Sequence, residues 1–220
     1  MKNLIETINR NAVYLIFCLG FAFFLSLYCI LLNKSDGFLL VNRYHTQPLD
    51  TFFILFTNLG NGLFAMGLIT IMLVMKKIGW SIQTGVSFLV SGLIAQLFKH
   101  LIHSPRPMLF FRPQEIHWIY GITRTGWTSF PSGHTATIFA ITTLLSFYFP
   151  GSRTGILFFA IAALTGFSRI YLSEHFPIDI LGGLLTGVLT SVAVYAIIPY
   201  AKFEKKLSKN EIEPQSTNLQ

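Results

Sequence analysis

Residues 11–33 read NAVYLIFCLGFAFFLSLYCILLN, a run of 23 residues without Asp, Glu, Lys or Arg. A helix needs about 20 mostly apolar residues to cross a bilayer. Four further uncharged runs are similar: 25 residues after Asp50, 21 after Lys77, 28 after Arg124 and 22 after Asp179. A shorter run between Arg153 and Arg169 continues through Leu172, which predicts another span with Arg169 near its end. The sequence therefore predicts an all-α, polytopic membrane bundle with six transmembrane helices.

The composition excludes several classes of protein. Of the 220 residues, 52% are hydrophobic and 11% charged, whereas roughly a quarter of the residues are charged in a soluble domain. The net charge is +7, but the basic residues are too sparse for a stripe that binds nucleic acid. We therefore expect the bilayer, and no nucleic acid, as a partner.

The chain is predicted to form one domain, residues 1–201, followed by a basic, disordered cytoplasmic tail, residues 202–220. The first span is too long for a cleaved signal peptide, so we interpret it as an anchor. Six spans place both termini on one side, which holds nine basic residues against seven on the other. The positive-inside rule then favours cytoplasmic termini in the plasma (inner) membrane, with the opposite face towards the periplasm or cell exterior.

Residues 130–135, FPSGHT, are typical of a helix start. Ser132 is a plausible N-cap, so the following N–H groups and the helix dipole would attract an anion. Gly133 permits close approach of the backbone, and His134 could give a proton to a leaving oxygen. The alternative is a simple cap beside a histidine without chemistry.

Residues 168–179, SRIYLSEHFPID, contain a second set of polar residues. Pro177 suits the first position of a helix, which places Asp179 in the first turn and His175 just before it. A carboxylate there can fix the tautomer of an imidazole and leave the other nitrogen free to attack. The alternative is that Asp179 only caps the helix.

Residues 99–107, KHLIHSPRP, combine a cation at a helix end with one in a rigid turn. Lys99 and Arg106, together with Arg169, could surround a phosphate group. For Lys99 the alternative is snorkelling at the membrane interface. The parity of the predicted spans brings all three stretches to the same, outer face.

These three stretches resemble the signature motifs of the type 2 phosphatidic acid phosphatase superfamily of membrane lipid phosphatases. The pattern is Lys, six residues and Arg-Pro, then Pro-Ser-Gly-His, then Ser-Arg, five residues, His, three residues and Asp, and it is complete here. The resemblance implies that His175 is the nucleophile, Asp179 its orienting partner and His134 the acid for the leaving oxygen. It also implies phosphate-binding residues: Lys99, Arg106, Ser132, Gly133 and Arg169.

No metal or other cofactor is expected, because three cations and a helix N-terminus can stabilise phosphoryl transfer by themselves. The sequence lacks a His-Glu-x-x-His motif. A weaker alternative is a transition-metal site formed by His100, His103 and His117.

Two features outside the motifs suggest further roles. The segment 104–130 is too long for a turn and is rich in apolar residues, so we expect a partly buried cover over the site. In it, Arg112, Glu115, His117 and Arg124 could read the lipid headgroup, or the segment could be passive. Gly183 and Gly187 favour close helix packing within the chain over a role in homo-oligomer formation.

The sequence thus predicts a hydrolase that removes phosphate from a phosphorylated membrane lipid through a phosphohistidine intermediate. The candidate substrates are undecaprenyl diphosphate, lipid A phosphate, phosphatidylglycerophosphate and phosphatidic acid. One alternative is a phosphotransferase with a hydroxyl acceptor, which needs the same residues. Another is a membrane transporter that binds phosphate without cleaving it.

Overall fold

The computed structural model describes residues 2–198, so the predicted tail, 202–220, lies outside the described residues. The described chain is built from helices joined by short connections and one long segment. The helices are α1 (Lys2–Arg10), α2 (Ala12–Leu31), α3 (Lys34–Asn42), α4 (Gln47–Phe56), α5 (Gly62–Val74), α6 (Ile78–Ile102), α7 (Pro107–Phe110), α8 (Gly133–Tyr148), α9 (Ser152–Tyr171) and α10 (Pro177–Ile197), with a 3₁₀ helix at Thr57–Gly60. The predicted all-α class is confirmed.

Helix α8 lies in the middle of the bundle, and most of its residues are buried. It packs against α10, α6 and α9. Contact with α10 is close because α10 presents glycines: a Cβ on Gly187 would lie 2.5 Å from the Ala136 carbonyl oxygen, and one on Gly183 would lie 2.7 Å from that of Ser132. The predicted role of these glycines in packing within the chain is therefore confirmed.

Buried hydroxyl groups join the helices to one another. The Tyr14 hydroxyl on α2 lies 2.9 Å from the Thr142 hydroxyl on α8. Ser191 on α10 lies 2.6 Å from Ser87 on α6 and also donates to the Ala140 carbonyl. Such interhelical hydrogen bonds contribute about 0.6 kcal/mol each on average in membrane proteins. They fix which faces of the helices meet.

The second predicted span is broken. The segment formed by α4 and the 3₁₀ helix, Gln47–Gly60, meets α5 at a bend of 53°. The Asn61 side chain caps α5 by accepting from the Leu63 N–H. At the break, Gly60 passes so close to α8 that a Cβ would lie 2.8 Å from the His134 carbonyl oxygen. The bend therefore brings the 3₁₀ helix against the start of α8.

Within residues 2–198, four helices (α2, α6, α9 and α10) are long and apolar enough to cross a membrane, and the bent α4–α5 pair would make a fifth span. Helix α8 has 16 residues. At 1.5 Å per residue it is about 24 Å long, shorter than a bilayer core of about 30 Å. The chain is thus a multi-pass helical bundle, while the number six stays a prediction.

The segment 104–130 covers one end of the bundle. It contains α7 and an aromatic contact in which Phe110 and Phe111 pack on Phe176, just before α10. Ile116 is buried, whereas Tyr120 is 91% exposed. The expectation of a partly buried cover is confirmed in this form.

Candidate active site

The start of α8 forms one wall of the site. The buried Ser132 side chain caps the helix by accepting from the Thr135 N–H. The Ser132 N–H donates to the main-chain oxygen of Asp179, which ties this helix start to that of α10. The Lys99 ammonium lies 3.9 Å from the position of a Cβ on Gly133. The Lys99 ammonium therefore lies beside the main chain of Gly133, at the N-terminus of α8.

His175 and Asp179 form a buried pair at the start of α10. Nδ1 of His175 lies 3.3 Å from Oδ2 of Asp179, and both side chains are at most 2% exposed. Pro177 begins α10, as predicted, so Asp179 lies in its first turn. The Phe176 N–H donates to Asp179 Oδ2 at 2.9 Å and helps to hold the carboxylate. This arrangement directs Nε2 of His175 away from the carboxylate.

The burial of His175 lowers the pKa of its imidazole to about 4. Removal from water is the largest cause, and the positive charges of Arg106 and Arg169 act in the same direction. The carboxylate of Asp179 opposes them. At neutral pH the imidazole is therefore uncharged, and a neutral ring with one nitrogen held by a carboxylate has a lone pair on the other.

Arg106 and Arg169 converge on a residue that the motifs leave unspecified. Oε2 of Glu174 accepts from Nη1 of Arg106 and lies 3.1 Å from Nη2 of Arg169. All three residues are at most 6% exposed. The two arginines are thus brought together as predicted, but by a carboxylate that sequence reasoning overlooked.

Two hydroxyl groups complete the surroundings of the motif residues. Thr57, in the 3₁₀ helix, accepts from Nη1 of Arg169 at 2.6 Å. Ser129 donates to Oδ2 of Asp179 at 2.5 Å and is fully buried. Neither contact could have been found from sequence, because each hydroxyl is remote along the chain from the motif side chain that it binds and meets it only through tertiary packing.

His134 lies in the first turn of α8 and is partly buried. Burial lowers the pKa of its imidazole, and the positive charges of the nearby Arg169 and Arg124 act in the same direction. The main chain of Arg124 is held at the site because its N–H donates to Oε1 of Glu174 at 2.7 Å. His134 therefore lies on the same face as the buried histidine, where a proton donor was predicted.

Three of the four residues that were predicted to recognise the lipid headgroup lie away from the motif side chains. The Arg112 N–H donates to the Glu115 carboxylate within a local turn, and both residues are exposed. Nε2 of His117 lies 3.0 Å from Asp50, and its ring stacks on that of His45. Of the four, only Arg124 has a hydrogen bond to a residue that contacts the motif side chains in the described part of the chain.

The alternative metal site is not assembled. His100 and His103 are exposed at the end of α6, whereas His117 is engaged with Asp50. Within residues 2–198, no group of three His, Cys, Asp or Glu side chains is arranged to hold a metal ion.

A bundle of apolar helices with these side chains gathered at one end defines a class of membrane phosphatase-like proteins. The family model of the PAP2 superfamily matches residues 80–203. The chain belongs to this superfamily, and the predicted resemblance is confirmed.

Individual relatives support the same assignment. An undecaprenyl-diphosphatase, BcrC of Bacillus subtilis, is 29% identical over 151 residues, 66% of this chain and 73% of the relative. A lipid A 1-phosphatase of Rhizobium etli is 35% identical over 54% of this chain and 51% of the relative. The chain thus spans about half the length of some curated relatives. The crystal structure of Aquifex aeolicus LpxE has a TM-score of 0.65 and 27% identity, covering 74% of this chain and 94% of that chain.

Proposed function

We propose that this protein is a membrane lipid phosphatase that hydrolyses a phosphomonoester or diphosphate through a phosphohistidine at His175. The observation that carries the proposal is the buried His175–Asp179 pair, with its neutral imidazole, beside two clustered arginines. Phosphoryl transfer requires positioning and stabilisation of charge on the phosphate oxygens. This site offers both, together with a second histidine.

The reaction has two displacements. In the first, Nε2 of His175 attacks phosphorus, an N–P bond forms, and the bond to the lipid oxygen breaks with its electron pair on that oxygen. His134 supplies the proton that this oxygen takes up, because the bound phosphate anion raises the pKa of its imidazole against the lowering by burial and by the nearby cations. In the second, water attacks phosphorus, His134 takes the proton of the water, and the N–P bond breaks to release phosphate and neutral His175.

The remaining motif residues hold the phosphate oxygens in this account. Lys99, the N-terminus of α8 at Ser132 and Gly133, and the two arginines, Arg106 and Arg169, bind these oxygens. Guanidinium groups suit this role because they donate in a planar fork that matches phosphate. Asp179 keeps the attacking imidazole in the required tautomer and stabilises its positive charge as the N–P bond forms. No step uses a metal.

A glycan-carrier or envelope lipid is the substrate class that we favour. The relatives bear the names undecaprenyl-diphosphatase and lipid A 1-phosphatase. Phosphatidylglycerophosphate and phosphatidic acid are the other lipids to be compared. Transfer to a hydroxyl acceptor would use the same residues, and the assay below separates it from hydrolysis.

The test is phosphate release by the full chain in detergent, from each of these lipids, with and without chelator. We expect release that persists with chelator and is lost in His175→Ala. The matched control is His100→Ala, an exposed histidine on α6 that should keep the parent rate. Loss of release with chelator would contradict the metal-free account. Formation of a phosphorylated acceptor, without release of phosphate, when a hydroxyl acceptor is added would replace hydrolysis with transfer.

We further propose that six spans, counting the bent α4–α5 pair and α8, place both termini in the cytoplasm and the site on the outer side. In a chain with Cys18 and Cys29 replaced, Tyr120→Cys should react with an impermeant thiol reagent added outside intact cells. Arg153→Cys, at the opposite end of the bundle, should react only after lysis. The reverse pattern would invert the orientation.

A further inference from the structure

Glu174 lies between the arginine and the histidine of the third motif, at a position that the motif leaves open. It is 1% exposed. A buried carboxylate is costly unless it is paired and hydrogen-bonded. Glu174 meets both conditions. Its Oε2 forms ion pairs with Arg106 and Arg169, and its Oε1 accepts a hydrogen bond from the Arg124 N–H.

The main chain holds Glu174 in place as firmly as its side chain does. The N–H groups of Glu174 and of His175 both donate to the Arg169 carbonyl, at 2.9 and 3.1 Å. Nη1 of Arg106 also donates to the carbonyl of Glu174 at 3.3 Å. A swing of Glu174 out of the site would therefore move His175, its neighbour in the chain. The main chain at Glu174 is therefore a fixed part of the site, and the carboxylate that it carries is held by Arg106, Arg169 and the Arg124 N–H.

The contacts of Arg169 indicate what the fixed carboxylate does. Nη1 binds Thr57 and Nη2 binds Glu174. Nε is buried and has no hydrogen-bond partner among the described residues. The guanidinium plane is therefore fixed by two of its nitrogens while a third donor stays available to a phosphate oxygen.

We propose that Glu174 is a positioning residue for phosphoryl transfer, which sets the orientation of Arg106 and Arg169 and anchors the 104–130 segment through Arg124. This inference rests on the proposed function. Glu174 also offsets one positive charge beside the phosphate. It contacts the reacting phosphate only through the arginines, so its effect must pass through them.

The first test is Glu174→Gln, which keeps the size of the side chain and removes its charge. Displacement of a catalytic group by about 1 Å can cost roughly 100-fold in rate, so we expect kcat to fall by about 10- to 100-fold, with KM changed by less. Glu6→Gln, an exposed glutamate on α1, is the matched control. A folded Glu174→Gln protein with the kcat of the parent would overturn the proposal.

A double-mutant cycle separates positioning from a general structural role. If Glu174 acts through Arg106, then Glu174→Gln should lower kcat much less in an Arg106→Lys background than in the parent. Independent, multiplicative losses would contradict the proposal. If Glu174→Gln does not fold, Glu174→Asp takes its place, because it keeps the charge but shortens the reach. A folded Glu174→Asp protein with parent kinetics would count against the proposal.

Binding of orthovanadate gives a readout that does not need turnover. Vanadate adopts the geometry of the phosphoryl transition state, so its affinity should fall with kcat in the Glu174 variants. Orthophosphate affinity should change less. A parent protein that binds vanadate through Glu174-dependent arginines but hydrolyses no lipid would refute the proposed function alone. Vanadate affinity that is equal in parent and variants would refute the role of Glu174 alone.

Discussion

Oδ2 of Asp179 lies 3.3 Å from Nδ1 of His175, one helical turn away at the start of α10. The same oxygen accepts from the Ser129 hydroxyl and the Phe176 N–H. One carboxylate oxygen thus caps a helix and orients an imidazole. Its role as a cap accounts for the position of Asp179 in the first turn of α10. Its contact with the buried His175 imidazole places the carboxylate in the interior.

Asp179→Asn should retain the cap geometry and lose the charge that orients His175. Removing the orienting acid of a comparable triad costs about 10⁴ in kcat, so we expect kcat to fall by about 10³ to 10⁴. Phosphate release at saturating substrate measures this change. An asparagine variant within tenfold of the parent would show that the carboxylate serves the helix only.

Ser129→Ala should weaken catalysis moderately. It removes a hydrogen bond to a buried carboxylate, and such bonds contribute about 1.5–3 kcal/mol, so kcat/KM should fall roughly tenfold or more. Thr128→Ala, at an exposed neighbouring hydroxyl, is the matched control. Equal rates in both variants and the parent would remove Ser129 from the account.

The lowered pKa of His175 predicts how stability depends on pH. The folded state has a pKa of about 4, below the unfolded value of about 6.5, so between these values the unfolded state binds more protons. Stability should therefore rise with pH across this window and fall on acidification. The melting temperature of the parent should drop more than that of His175→Asn from pH 6.5 to 4. An equal drop of the melting temperature in both proteins would contradict the burial of a neutral histidine.

Gly187→Ala should disturb the contact between α8 and α10. The added Cβ would meet the Ala136 carbonyl at 2.5 Å and the Ala140 nitrogen at 2.8 Å. Overpacking of this kind typically costs about 1–3 kcal/mol, so the melting temperature in detergent should fall. Gly92→Ala, with nothing within 4 Å of its Cβ, should not lower it. Equal melting temperatures of Gly187→Ala and the parent would contradict the close contact between α8 and α10.

The sequence predicts the helical class and the motif positions well, because long uncharged runs and helix-start residues are local signals. The Ser132 cap and the Pro177 start both lie where local rules place them. Counting the residues between charges does not reveal the break between Gly60 and Gly62, since Gly and Asn interrupt a helix without adding charge. The 16-residue α8 is likewise shorter than the uncharged run around it.

Glu174, Thr57 and Ser129 mark the limit of reading the site from sequence. Each supports a motif residue without being one itself: Glu174 supplies a carboxylate for the arginines, and Thr57 and Ser129 supply a hydroxyl each for Arg169 and Asp179. Their roles depend on which helix ends meet in three dimensions. The parity of the spans places these helix ends on one face, but local pattern does not tell which side chains meet there.

The stereochemical course at phosphorus tests the central claim most directly. A substrate thiophosphate made chiral at phosphorus with two oxygen isotopes, turned over by the full chain in water that carries the third isotope, yields inorganic thiophosphate whose configuration can be measured. Attack by His175 followed by attack of water inverts phosphorus twice, so the account predicts net retention. Net inversion would mean that water displaces the lipid directly, and the phosphohistidine mechanism would be wrong.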